Sequence, residues 1–95
     1  MKTTYNISDV IQILKTVPLA DMIAPYYMNS YPDVTTVAWS VGNLRIEYKS
    51  SFREIIRVTV LSTNDMFDIT FSLEVSQTCH MLEITFDESR FTRIN

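Results

Sequence analysis

Between Phe52 and Asp87 the chain alternates apolar and polar residues with few interruptions. Successive side chains of a β-strand leave opposite faces of the sheet, so this pattern predicts half-buried antiparallel strands with one apolar and one polar face. Three runs within this stretch have apolar residues at every second position. These residues are Ile56, Val58 and Val60; Phe67, Ile69, Phe71, Leu73 and Val75; and Leu82, Ile84 and Phe86.

Two shorter alternating runs, 34–41 and 44–49, come before this stretch. Gly42 and Asn43 lie between them and are typical of a two-residue hairpin turn. The alternation predicts three further strands at about 53–61, 66–75 and 80–87, followed by a mixed tail over 88–95. Every connection between these strands is short, which favours antiparallel neighbours, because a parallel crossover needs a dozen or more residues.

The start of the chain has helical periodicity instead. Asn6 or Ser8 is a suitable N-cap. A second helical segment begins at Leu19, and we expect Pro25 to end or kink it, because proline disfavours the helical conformation of the preceding residue. The apolar positions of the first helix are Ile7, Val10, Ile11, Leu14 and Val17.

These elements predict an α+β fold with two layers. An N-terminal helical pair packs on one face of a five-stranded antiparallel meander, because the apolar stripe of the helices and the apolar face of the sheet each need a partner. Residues 1–95 are expected to form a single domain, since the chain contains no linker, repeat or low-complexity segment.

The composition is that of an ordinary soluble globular protein, with 46% hydrophobic and 20% charged residues. The net charge of −3 and pI of about 4.9 disfavour a nucleic-acid partner, which would need clustered Lys and Arg. No apolar run approaches the ~18 residues of a membrane span. No apolar segment follows Lys2, so we expect no signal peptide and a cytoplasmic location.

The residues that carry chemistry are few. Cys79 and His80 are the only members of their types, which excludes an intramolecular disulfide and a Cys/His zinc site. On a strand, the two neighbours would point to opposite faces and could not form a catalytic dyad. His80 shares the parity of Leu82, so we expect a partly buried structural histidine. With one glycine and no catalytic motif, the sequence predicts no enzyme, cofactor or metal.

Charged residues divide between the strands of the polar face. We expect the acids to form a solvated surface rather than an acid/base pair or a metal site, because a general acid needs a pKa raised by burial. The face should be basic on one half and acidic on the other, which indicates either cross-strand pairing or steering of a partner or a second copy. The basic residues are Arg45, Lys49, Arg53 and Arg57; the acidic ones are Asp68, Glu74, Glu83 and Asp87.

Some apolar residues stand where the pattern predicts polar ones. If they cluster with the tyrosines of the connection after the second helix, they would resemble an interface core. Those tyrosines have an alternative role as caps at the open end of the core. The candidate interface residues are Tyr26, Tyr27, Tyr31, Ile55, Leu61 and Met81, with Arg45 and Arg57 from the charged face.

We therefore predict a non-enzymatic protein–protein interaction domain: a small accessory, adaptor or inhibitor protein whose partner is another protein or a second copy. Small acidic domains without motifs are common among phage and mobile-element proteins. Two alternatives stay open. One is a ligand-binding or enzymatic pocket between helices and sheet, lined by Trp39, Tyr48, Phe71 and Tyr26, with His80 or an acid at its mouth. The other is a single-stranded nucleic-acid binder that uses the basic residues named above.

Overall fold

The computed structural model describes residues 4–28, 36–49, 54–78 and 80–95, without the side chains of Tyr27 and Met28. The element order is α1 (Ile7–Leu14), α2 (Leu19–Met28), β1 (Thr36–Val41), β2 (Leu44–Lys49), β3 (Ile55–Val60), β4 (Met66–Val75) and β5 (Leu82–Arg93). The five strands form one antiparallel sheet in the order β1-β2-β3-β4-β5. This confirms the α+β fold with an N-terminal helical pair and a meander.

The helices begin where local chemistry favours it. Asn6 caps α1 through a capping box: its side chain accepts from the Asp9 backbone N–H, and the Asp9 carboxylate accepts from the Asn6 N–H. Of the two outcomes expected at Pro25, an end or a kink of α2, the end is wrong, because the helix runs on to Met28. Proline removes one hydrogen-bond donor from a helix, and packing of Ile23 and Tyr26 against the core offsets that loss.

The helices cover one face of the sheet, called here the inner face; the other is the outer face. Alternating residues of β2, β3 and the first half of β4, as far as Phe71, point inward and are fully or almost fully buried, as the period-two pattern predicts, whereas Val75 at the end of β4 is exposed. The buried core comprises Val10, Ile11, Leu14, Leu19, Ile23, Leu44, Ile46, Tyr48, Ile56, Val58, Val60, Phe67, Ile69 and Phe71.

β5 differs most from expectation. The predicted tail over 88–95 is wrong, because the strand continues to Arg93 and pairs with the first half of β4. Phe71 pairs with Phe86, whereas Ile69 pairs with Phe91, so residues 87–90 stand opposite Thr70 alone. This bulge breaks the period-two pattern, so the alternation did not predict that the strand continues beyond this point.

His80 is also placed differently from the prediction. It lies before β5 rather than in it, is exposed, and has a φ of 55°. Beside it, the Ser76 N–H donates to the Met81 carbonyl at 2.7 Å. Cys79, Tyr31 and Arg53 lie outside the described residues. Within the described part of the chain, no helix is long and apolar enough to cross a membrane.

Candidate functional site

The outer face carries an ordered row of charges. The row consists of Glu47 on β2, Arg57 on β3 and Asp68 on β4, which are neighbours across the strands. On β1, the uncharged Ala38 pairs with Glu47. Arg57 donates two hydrogen bonds to the Asp68 carboxylate, at 2.8 and 3.1 Å, and the first of these raises the pKa of Arg57 above its ordinary value. Arg45 donates to Glu47 at 3.2 Å. Two of the predicted basic residues are therefore paired within the chain.

A shallow depression of about 190 Å³ lies among these charges, lined by Glu47, Lys49, Ile55, Arg57 and Asp68. Its single apolar residue, Ile55, is 39% exposed. The charges alternate in sign across the strands, so the face lacks the run of unpaired cations that a phosphate backbone requires.

The large aromatic rings lie on the opposite, inner face. Tyr26 of α2 meets Trp39 of β1 edge to face, with ring centroids 6.1 Å apart. Tyr48 and Phe71 form a second edge-to-face pair at 6.1 Å inside the core. Stacking of a nucleic acid needs cations and rings on one surface, and a ligand pocket needs rings that line a space. The four rings pack against each other in pairs, so neither alternative gains support from them.

The candidate interface residues whose side chains the structure describes do not form one patch. Tyr26 faces the core side, Ile55 is on the outer face, and Leu61 follows β3 at the opposite end of that strand. Met81 lies in the β4–β5 connection. The side chain of Tyr27 and the whole of Tyr31 are outside the described residues. The described members of the expected cluster therefore lie on separate parts of the surface.

A polar cluster joins both ends of the chain. The Asp65 carboxylate, only 7% exposed, accepts hydrogen bonds from the Tyr5 N–H and the Thr63 hydroxyl, both at 2.8 Å, and from the Arg93 guanidinium. The pKa of Asp65 is lowered, first by the Thr63 hydroxyl, then by the Tyr5 N–H and by Arg93. Arg93 also lies over the Phe67 ring, 5.2 Å from its centroid. This cluster connects Tyr5, which precedes α1, to Arg93 at the end of β5.

The acids of β4 and β5 are dispersed. Asp68 is paired with Arg57, whereas Glu74 and Glu83 face each other directly across the hairpin. The Asp87 carboxylate, in the bulge, accepts from the Ser89 hydroxyl at 2.6 Å and the Ser89 N–H at 3.0 Å, and these bonds lower the pKa of Asp87. Among the described residues, no group of three His, Cys, Asp or Glu side chains could hold a metal ion.

A groove lies between the start of α2 and the first half of β5, and it is called here the α2–β5 groove. Its volume is about 680 Å³, and it is open to solvent. Its lining is Val17, Pro18, Leu19, Ala20 and Asp21 from the helical side, and His80, Met81, Leu82, Glu83, Ile84 and Thr85 from the strand side. Four successive residues of β5, Leu82 to Thr85, contribute and alternate between the two faces, so the groove follows the edge of β5.

The groove combines apolar and acidic groups. Met81 is 63% exposed, and Val75, which pairs with Leu82 next to it, is 53% exposed. Asp21 and Glu83 are the acidic residues of the lining, which also includes His80. Sequence reasoning identified Met81 but missed the groove, because the α1–α2 connection and the β5 edge are more than 55 residues apart along the chain.

No family model matches the chain, and no curated protein or solved structure matches it either.

Proposed function

We propose that this protein is a non-enzymatic protein-interaction domain that binds an extended, basic segment of a partner protein in the α2–β5 groove. The segment would lie beside β5 as an added strand. The observation that carries the proposal is the groove itself: an edge strand on one side, the first turn of a helix on the other, and acids on its rim. Strand addition of this kind uses backbone hydrogen bonds for affinity and side-chain contacts for specificity.

The backbone of β5 supplies suitable hydrogen-bonding groups. The Ser76 N–H bonds to the Met81 carbonyl, which makes these residues a hydrogen-bonded pair. Pairs alternate along an antiparallel ladder, so Glu83 and Thr85 direct their backbone groups to β4. Leu82 and Ile84 then direct their N–H and C=O groups away from β4, into the groove. An incoming strand would find two donors and two acceptors there.

Side chains and charge define the kind of segment. Met81, Leu82 and Ile84 give the groove an apolar part that suits alternate apolar residues of an extended peptide. Asp21 and Glu83 lie on its rim, and Glu74 stands directly across from Glu83. Two carboxylates that face each other repel, so a Lys or Arg of the partner would relieve a local conflict as well as pair with the rim.

The test uses two synthetic peptides of equal length, one alternating Lys with Val and one alternating Glu with Val. We expect the basic peptide to shift the backbone amide NMR signals of Leu82 to Thr85 and of Asp21, and the acidic peptide to leave them unchanged. The double substitution Asp21→Lys with Glu83→Lys should weaken binding of the basic peptide by roughly tenfold, because it reverses both rim charges.

Glu88→Lys is the matched control, because Glu88 is an exposed acid of β5 that does not line the groove. It should leave affinity within about twofold of the parent domain. Equal binding of both peptides, shifts on another surface, or an equal loss of affinity in Glu88→Lys would each contradict the proposal. So would the absence of any shift at millimolar peptide.

A further inference from the structure

The two edges of the sheet are protected very differently. From Asp87 to Arg93, β5 carries four charged residues and a bulge, which are features that discourage pairing with another sheet along that half of the strand. β1 has the sequence Thr-Val-Ala-Trp-Ser-Val, without charge, proline or glycine, and it pairs with β2 along its whole length without a bulge. Among the described residues, no strand lies on its other side. An edge of this kind is a template for strand pairing.

The backbone groups on this edge follow from the ladder. The Leu61 N–H donates to the Asn43 carbonyl at 2.8 Å, a bond that flanks the Leu44–Val60 pair and marks it as non-hydrogen-bonded. Leu44 therefore directs its backbone groups towards Val41, its partner across the two-residue turn. The alternation then places the N–H and C=O groups of Thr36, Ala38 and Ser40 on the outer edge.

We propose that two copies of this chain pair through β1, antiparallel and about a two-fold axis at Ala38, so that one continuous sheet crosses both copies. The proposal is independent of the groove. In this register Thr36 of one copy meets Ser40 of the other, and Ala38 meets its own counterpart. Each outward residue then exchanges two hydrogen bonds with its partner, so the edge is complementary to itself.

The side chains fit the same register on both faces. The outward residues carry small side chains on the outer face, exposed in the free chain. Val37 and Trp39, half-buried on the inner face, would lie beside the partner's Trp39 and the partner's Val37, so the apolar layer continues across the axis. Tyr26 already holds the Trp39 ring from the helix side, so little ordering remains to be done on association.

Charge favours a second copy through this edge rather than through the outer face. Arg57 and Asp68 form an ion pair within each chain, so on the outer face they are not available to pair with a second copy. At the β1 edge, Glu47 of each copy would be three strand spacings from its counterpart, about 14 Å. That distance exceeds the ~8 Å Debye length at physiological salt, so the like charges are screened.

Six-residue strands bury less surface than a standard protein–protein interface, and we therefore expect micromolar association.

Sedimentation velocity from about 10 µM to about 1 mM tests the state of association. We expect a monomer–dimer equilibrium that Ala38→Lys weakens at least roughly tenfold, because it places two ammonium groups at the axis. Thr92→Lys, an exposed position on β5, is the matched control and should leave the equilibrium unchanged. A monomer at the highest concentration, or a dimer that both substitutions affect equally, would overturn the proposal.

Cross-linking gives a second, positive readout. In a Cys79→Ser background, Ala38→Cys should form a symmetric disulfide on mild oxidation, since facing residues of a hydrogen-bonded pair have Cα atoms about 5.5 Å apart. Thr92→Cys should stay monomeric under the same conditions. Efficient cross-linking of both variants would contradict the register. None of these positions lines the α2–β5 groove, so peptide binding tests that proposal separately.

Discussion

Arg57 of β3 and Asp68 of β4 face each other on the outer face and share two hydrogen bonds, at 2.8 and 3.1 Å. Their side chains are 44% and 27% exposed, so water and salt screen the pair in part. Because these two charges are paired with each other, they are not available to steer a partner, as the sequence had indicated for this face. The interaction surfaces of the domain are then better sought at the edges of the sheet than on its open face.

A double-mutant cycle measures the strength of this pair. We expect a coupling free energy of about 0.5–1 kcal/mol between Arg57→Ala and Asp68→Ala, the upper part of the range for exposed pairs, because the bonds are bidentate. Urea unfolding of the four proteins at low and at high salt gives the number, which should fall with salt. Arg45 and Glu47 share a single bond of 3.2 Å, and their cycle should give less. Equal coupling in both cycles would contradict this reading.

The Asp65 cluster should make stability depend on pH. Because the folded state lowers the pKa of Asp65 below its ordinary value of 3.8, the unfolded chain binds the proton first as pH falls. The stabilisation by Asp65 is therefore complete above about pH 5 and is lost as the pH falls through the lowered pKa. Asp65→Asn should be less stable than the parent at neutral pH.

The difference in unfolding free energy between parent and Asp65→Asn should shrink below about pH 4, and urea titrations across pH 2–7 measure it. Asp87 also has a lowered pKa, but it is present in both proteins and cancels in the difference. A difference that stays constant down to pH 2 would show that the hydrogen bonds of Asp65 do not distinguish its two protonation states.

Gly42 occupies the left-handed region, with φ of 57°, in the β1–β2 turn, and no atom lies within 4 Å of the place where a Cβ would be. The cost of a side chain there is therefore conformational rather than steric. Gly42→Ala should destabilise the domain by about 1 kcal/mol, and Gly42→Asn by less, since asparagine tolerates this conformation. Thermal unfolding of the three proteins compares them. An equal loss for both substitutions would indicate that the turn has another constraint.

The fold was predictable where one strong local pattern decided it. The alternating apolar residues of β2, β3 and β4 as far as Phe71 form the buried face, and the Gly42–Asn43 turn follows from its sequence. β5 was cut short because its bulge shifts the parity after Phe86. The continuation of α2 past Pro25 was missed for a different reason. The local preference of proline against helix was outweighed by tertiary packing of the same segment.

The candidate site was less predictable, because it depends on which elements meet. Met81 was recognised as misplaced in the pattern, yet its neighbours in the groove come from the α1–α2 connection. Likewise, alternation identified Thr36, Ala38 and Ser40 as residues of one face of β1. Only the order of strands showed that this strand is an edge. Spacing along the chain shows which residues share one face of a strand. Which strands are edges, and which elements border a groove, depends on the order of the elements in space.

Glu74 and Glu83 provide a last test, which separates stability from binding. They are a directly opposed pair of like charges on β4 and β5, so replacing either by lysine turns repulsion into attraction. Glu74→Lys and Glu83→Lys should each raise the unfolding free energy by a few tenths of a kcal/mol, more at low salt than at high. Urea unfolding at two salt concentrations measures this effect.

The two substitutions should differ in affinity for the basic peptide, because Glu83 lines the α2–β5 groove and Glu74 does not. We expect Glu83→Lys to weaken binding by roughly threefold to fivefold and Glu74→Lys by less than twofold. Titration calorimetry on both variants makes the comparison. Similar stability gains with unequal affinities would assign the acidic rim to the partner, whereas equal affinities would place the peptide outside the groove.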